Sequence, residues 1–173
     1  MHMVTRFATI SILVLVVAYP LVVRATGQAP PLPTQSERWL DGKPRTWPDL
    51  KGKVVLLNVW TFGCWNSYRS LPWLVSIHKK FPELQIIGVH SPEFDYEKDR
   101  TKLRQAMKSY GVEYAQLLDD NHEYWNQLKN HYWPAFYIVD KEGKIRSFYA
   151  GETHAGDSQS QAIEKQIQSL LNE

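Results

Sequence analysis

Residues Lys53 to Trp60 (KVVLLNVW) form a near-continuous apolar run. A strand with that pattern is buried on both faces, so whatever surrounds it must cover a sheet twice. The chain has the material to do so. Of its 173 residues 43% are hydrophobic, and seven Trp, nine Tyr and six Phe supply large apolar side chains. That content excludes wholesale disorder, and the length suits one domain with a tail.

The rest of the pattern alternates. Thr61 to Gly63 is a turn, and a helix is expected to begin at or just after Cys64 and run to about Lys80, with Pro72 kinking it. Glu83 to His90 reads as a second strand. Tyr96 to Tyr110 reads as a helix with Leu103, Met107 and Tyr110 on one face, ended by Gly111. A strand at Glu113 to Leu118 and a short helix at His122 to Lys129 follow. Ala135 to Asp140 and Lys144 to Ala150 flank a Glu142-Gly143 turn as an antiparallel hairpin. Ser158 to Leu171 closes the chain as a helix carrying Ile163, Ile167 and Leu170. Ahead of the first strand, Asp41-Gly42 marks a turn between two short strand-like pieces. The alternation gives an α/β fold: a central mixed sheet with helices on both faces and an N-terminal β extension.

The first 25 residues stand apart. Phe7 to Val23 carries no charge and follows Arg6. Residues 1–25 read as a secretory signal peptide or membrane anchor, with a small-residue pattern at Val23 and Ala25 that permits cleavage. Residues 26–37, including the APPLPTQ stretch from Ala29 to Gln35, read as a proline-rich spacer lying extended between membrane and domain. Residues 38–173 are the domain. This organisation implies export, to the bacterial periplasm or the outer face of the cytoplasmic membrane. The formal charge of +2 excludes an electrostatic nucleic-acid footprint. Without residues 1–25 the chain loses Arg6 and Arg24 and no acid, and is neutral.

One cysteine in the whole chain excludes an intramolecular disulfide and any multi-cysteine zinc site. No metal or other cofactor is expected, since the six histidines show no ligand-pair spacing. Cys64 follows a buried strand and a turn, and opens a helix. Unpaired N–H groups and the positive end of the helix macrodipole favour a thiolate there. A small buried hydrophobe is the alternative. Three residues on stands Ser67, so the motif Cys64-Trp65-Asn66-Ser67 is CxxS.

The stretch Val59 to Leu74 (VWTFGCWNSYRSLPWL) resembles the active-site segment of thioredoxin-fold thiol–disulfide oxidoreductases of the TlpA and DipZ type. Asp49 to Lys53, Val89 to Asp99 (VHSPEFDYEKD) and Tyr132 to Asp140 (YWPAFYIVD) resemble further segments of that family, in order. The resemblance implies a thioredoxin-like fold acting on protein thiols or disulfides, with a membrane or periplasmic thiol donor or acceptor. It makes Cys64 the attacking thiolate and Pro134 a cis-proline against which substrate backbone lies. Trp65 and Asn66 become the dipeptide that tunes the thiol, and Trp133 a wall of the groove. Glu93 matches an acidic position that approaches the cysteine pair in relatives, as a proton relay or simply a solvated carboxylate. Asn58 stands where thioredoxin itself has a buried acid.

Ser67 occupies the resolving-cysteine position, and a hydroxyl cannot attack a mixed disulfide. The serine reads as a substitution that traps mixed disulfides, as a natural monothiol site resolved by an external thiol, or as the mark of a decayed site. A non-catalytic thioredoxin-fold binding module is therefore the alternative function. A thiol peroxidase is the weaker one: Thr61 precedes Cys64 by three, but Leu57 stands where a peroxiredoxin has proline.

Overall fold

The computed structural model describes residues 27–173, and the segment read as a signal peptide or anchor lies outside them. Among the described residues no helix is long and apolar enough to cross a membrane. Six strands form one sheet in the order β1-β6-β5-β2-β3-β4. They are β1 (Gly27–Gln28), β2 (Val55–Trp60), β3 (Gln85–His90), β4 (Ala115–Leu118), β5 (Ala135–Val139) and β6 (Lys144–Ala150). The sheet is mixed: β2 runs parallel to β3 and antiparallel to β5, and β3 runs parallel to β4. β1 pairs antiparallel with β6 as the N-terminal β extension.

Every residue of β2 is buried. On one face Leu56 and Trp60 pack against α1 (Trp65–Lys80), α2 (Arg100–Tyr110) and α4 (Ser158–Asn172), through Leu71, Leu74, Ile77, Leu103, Ile163 and Ile167. α1 continues through Pro72 as one helix. On the other face, among the described residues, Val55, Leu57 and Val59 have one short α-helix above them, α3 (Glu123–Gln127). Five residues of helix cannot cover that face, and the segment before β2 completes it with Ala29, Leu32, Trp39 and Leu50.

The stretch read as an extended spacer is therefore part of the core. Proline carbonyls in it have no ladder to join, and three side chains supply their donors. The Trp47 indole donates to the Pro30 carbonyl at 2.7 Å, Tyr124 Oη to the same carbonyl at 3.1 Å, and the Trp39 indole to the Pro33 carbonyl at 2.8 Å. The strand-like pieces expected around Asp41-Gly42 reduce to a single bridge between Trp39 and Leu117.

A second correction concerns the helix expected from Tyr96. The Asp99 carboxylate accepts from the backbone N–H groups of Thr101 and Lys102, so Asp99 caps α2, which starts at Arg100. Residues Asp95–Lys98 wind as a separate 3-10 turn in which only Glu97 is buried. Gly111 ends α2 in the left-handed conformation, at φ 70°.

Two predictions follow from this packing. Leu32→Ala should destabilise the fold by about 2–4 kcal/mol, measured by urea unfolding, because it opens a cavity against the sheet. An extended spacer would give no change. His90, at the end of β3, is buried between Trp60 and Phe62, each at 5.5 Å between ring centroids, with neither ring nitrogen bonded. Burial holds its imidazole down from 6.5 to about 3, so the folded state keeps it neutral while the unfolded chain takes a proton. Stability should therefore be lost as pH falls from about 6.5 towards 3. His90→Phe should flatten that part of a series of unfolding midpoints taken against pH.

Candidate active site

Strand β2 delivers the chain at Trp60 into the Thr61–Gly63 turn, and Cys64 caps the N-terminus of α1. The Cys64 N–H donates to the Thr61 carbonyl at 3.4 Å, and its own carbonyl accepts from the Tyr68 N–H at 3.2 Å. The cap side chain takes no hydrogen bond from the helix, and the first turn of α1 contains no acid. The sulfur is thus at the N-terminal, positive end of a 16-residue helix and partly exposed.

The opposite wall is the loop before β5. The Cys64 thiol donates to the Trp133 carbonyl at 3.8 Å, and the Trp133–Pro134 peptide bond is cis. Trp133 is held by its indole N–H on the Ser91 carbonyl at 2.9 Å and by ring contact with Trp125 at 4.2 Å. Asn130 Nδ2 donates to the Tyr132 carbonyl at 2.9 Å and steadies the same loop. The segment after β6 closes the third side. Gly151 N–H donates to the Pro134 carbonyl, Thr153 N–H to Ser70 Oγ, and Ser70 Oγ to the Asn66 carbonyl.

Of the residues singled out in the sequence, Cys64, Trp65, Asn66, Trp133 and Pro134 thus meet at one end of the sheet. Ser67 is buried one turn into α1, and its hydroxyl has no partner. Trp65 is 69% exposed. Tyr132, Phe94 and Tyr96 are the other large hydrophobic side chains left exposed among the described residues, and all lie in segments bordering Cys64. Phe94 and Tyr96 stack at 5.8 Å, and Tyr96 meets Phe62 edge-on at 6.2 Å. Asn58 is wholly buried in β2, beside the buried Tyr114 hydroxyl.

The Glu93 side chain is exposed, and its backbone N–H donates to Glu97 Oε2 at 2.8 Å. The acid that does turn inward is Glu97, which the sequence reading passed over. It is fully buried and accepts from the Thr61 hydroxyl. Its other oxygen, Oε1, lies against Gly63 with the Tyr96 hydroxyl beside it, in space that a Cβ at position 63 would fill. The absence of a side chain at Gly63, next to the cysteine, is the signal that could have pointed to a close neighbour. Among the described residues no group of three His, Cys, Asp or Glu side chains gathers to hold a metal.

This site and fold have relatives. Protein DipZ of Mycobacterium tuberculosis (strain CDC 1551 / Oshkosh) is 34% identical over 140 residues, covering 78% of this chain and 19% of its own length. The chain therefore spans about a fifth of that relative. Thiol-disulfide oxidoreductase YkuV of Bacillus subtilis (strain 168) is 25% identical over 146 residues, covering 83% of this chain and 95% of itself. A thioredoxin-like protein whose oxidized form was solved in solution superposes with a TM-score of 0.70 at 26% identity, covering 84% of this chain and 95% of its own. The AhpC/TSA family description matches residues 27–148. The chain belongs to the AhpC/TSA family, and its fold is thioredoxin-like.

Proposed function

We propose that the protein is an exported thiol–disulfide exchange protein that acts on protein thiols and disulfides through the single thiol of Cys64. The reading places it at the periplasm or the outer face of the cytoplasmic membrane, associated through residues 1–25. The observation that carries it is the position of the sulfur, at the N-terminus of α1 and facing the Trp133 carbonyl. YkuV, which is similar over 83% of this chain, is itself named a thiol-disulfide oxidoreductase.

The chemistry divides into two exchanges. The Cys64 thiolate attacks one sulfur of a substrate disulfide; a Cys64–substrate disulfide forms and the second substrate sulfur leaves as thiolate. In a dithiol enzyme the residue at position 67 would displace the substrate. Ser67 cannot, so a thiol from outside attacks the mixed disulfide and restores Cys64. Pro134, Trp65 and Asn66 bound the groove in which the substrate backbone lies. The exposed rings of Trp65, Tyr132, Phe94 and Tyr96 around it suit an apolar stretch of polypeptide better than a small hydrophilic thiol. Glu93, exposed on the rim, is the candidate proton relay, open to solvent and substrate.

The test is substitution at the two ends of the motif. The unaltered protein should accumulate as a mixed disulfide with a cysteine-containing peptide disulfide and release it only when an external thiol is added, as read by intact mass. Ser67→Cys should form a 64–67 disulfide and release the peptide without added thiol. Cys64→Ala should lose all covalent capture. A thiol that gives no mixed disulfide, with peptide binding that survives Cys64→Ala, would establish the binding-module reading instead.

A further inference from the structure

The His122 side chain does nothing for the helix it begins. It stands at the N-terminus of α3 in a left-handed backbone, φ 57°, which a side chain adopts at a cost and glycine takes freely. The cap comes from elsewhere: the Asp119 carboxylate accepts from the Tyr124 and Trp125 N–H groups, each at 2.9 Å, while the His122 ring makes no cap bond. That ring turns towards the loop that faces Cys64. Its Nε2 lies 2.7 Å from the Pro92 carbonyl, which can only accept, so this nitrogen carries a proton and donates it. The ring stacks on Trp125 at 5.4 Å and lies 6.0 Å from Trp133, and the two indoles meet at 4.2 Å. Trp133 in turn donates to the carbonyl of Ser91, the neighbour of Pro92.

Glycine would suit the backbone here, so a local explanation leaves the imidazole unaccounted for. What the imidazole adds is a link between three segments: Pro92 in the loop after β3, Trp125 in α3, and Trp133 ahead of β5. We infer that His122 is a positioning residue for Trp133, the groove wall whose carbonyl faces the Cys64 thiol. It determines how well a polypeptide disulfide is held across the sulfur. The thiol itself belongs to the opposite wall, at the start of α1, and its reactivity is set there.

The distinction separates two kinds of substrate. A small disulfide meets the sulfur and little else. A polypeptide also lies along the wall, so it alone gains or loses binding when Trp133 moves. The imidazole is thus a specificity device, placed one layer behind the surface that substrate touches.

This inference rests on Cys64 exchanging with a polypeptide across that groove, and the experiment separates the two. Two probes share one leaving group: thionitrobenzoate disulfide-linked to a peptide with apolar residues around its cysteine, and thionitrobenzoate linked to mercaptoethanol. With either, the Cys64 thiolate bonds to the carrier sulfur and thionitrobenzoate leaves with the electron pair, read by its absorbance. His122→Gly keeps the left-handed backbone and removes the ring. It should raise the peptide concentration that half-saturates the rate by about five- to tenfold, the loss expected for one aromatic contact. The maximal rate, and the rate with the mercaptoethanol probe, should stay within about twofold. Trp125→Leu, which removes the ring stacked against both, should shift the peptide curve in the same direction, and it decides the matter if the first variant fails to fold. Lower thermal stability with both rate curves unchanged overturns the inference. So does an equal fall with the two probes, which would put the effect at the thiol. If the unaltered chain reacts with neither probe, the functional proposal itself fails. If it reacts with both and the variants match it, only the role of His122 is lost.

Discussion

The structure depends on the burial of β2 on both faces. A central strand with no solvent-facing side needs two covers, and the chain provides them by different means. One is regular, three helices presenting aliphatic stripes to Leu56 and Trp60. The other is largely irregular, a proline-containing segment laid under Val55, Leu57 and Val59 and fastened by indole and phenol donors. The sheet would expose apolar surface without that segment, because α3 has only five residues. Loss of regular backbone pairing is offset by side-chain donors to the carbonyls that prolines leave free.

The site inherits its rigidity from the same strand. β2 and β3 end side by side at Trp60 and His90, and the loops that leave them meet again where Thr61 contacts Glu97. β5 begins beside Val59, which brings Trp133 and Pro134 across from Cys64. Three loops from three neighbouring strands are thereby held around one sulfur, and the chemistry needs no large motion to assemble. At the position three residues beyond Cys64, Ser67 is buried with an unbonded hydroxyl.

Much of this was legible in the residues. The apolar run, the turn, the lone cysteine at a helix start and the Glu142-Gly143 hairpin each have a local cause, and each appears within a few residues of its expected place. Two features did not read correctly, for different reasons. A proline-rich stretch reports what its backbone cannot do, not which surface its few apolar side chains meet. Ala29 and Leu32 therefore passed as linker. Glu97 was passed over because the helix was expected to start at Tyr96. Asp99 caps it later, and the residues before that cap form a separate turn in which Glu97 is buried.

The pairing of β1 with β6 also fixes the end of the sheet at which the described chain begins. Gly27 lies opposite Ile145, near the Lys144 end of β6, whereas Ala150 at the other end of that strand lies beside Pro134 and the cysteine. The five steps between Ile145 and Ala150 amount to roughly 17 Å of extended chain. A support attached upstream of residue 27 would therefore grip the domain towards its far end. The nucleophile would then point away from that support, facing partners that approach from the opposite side.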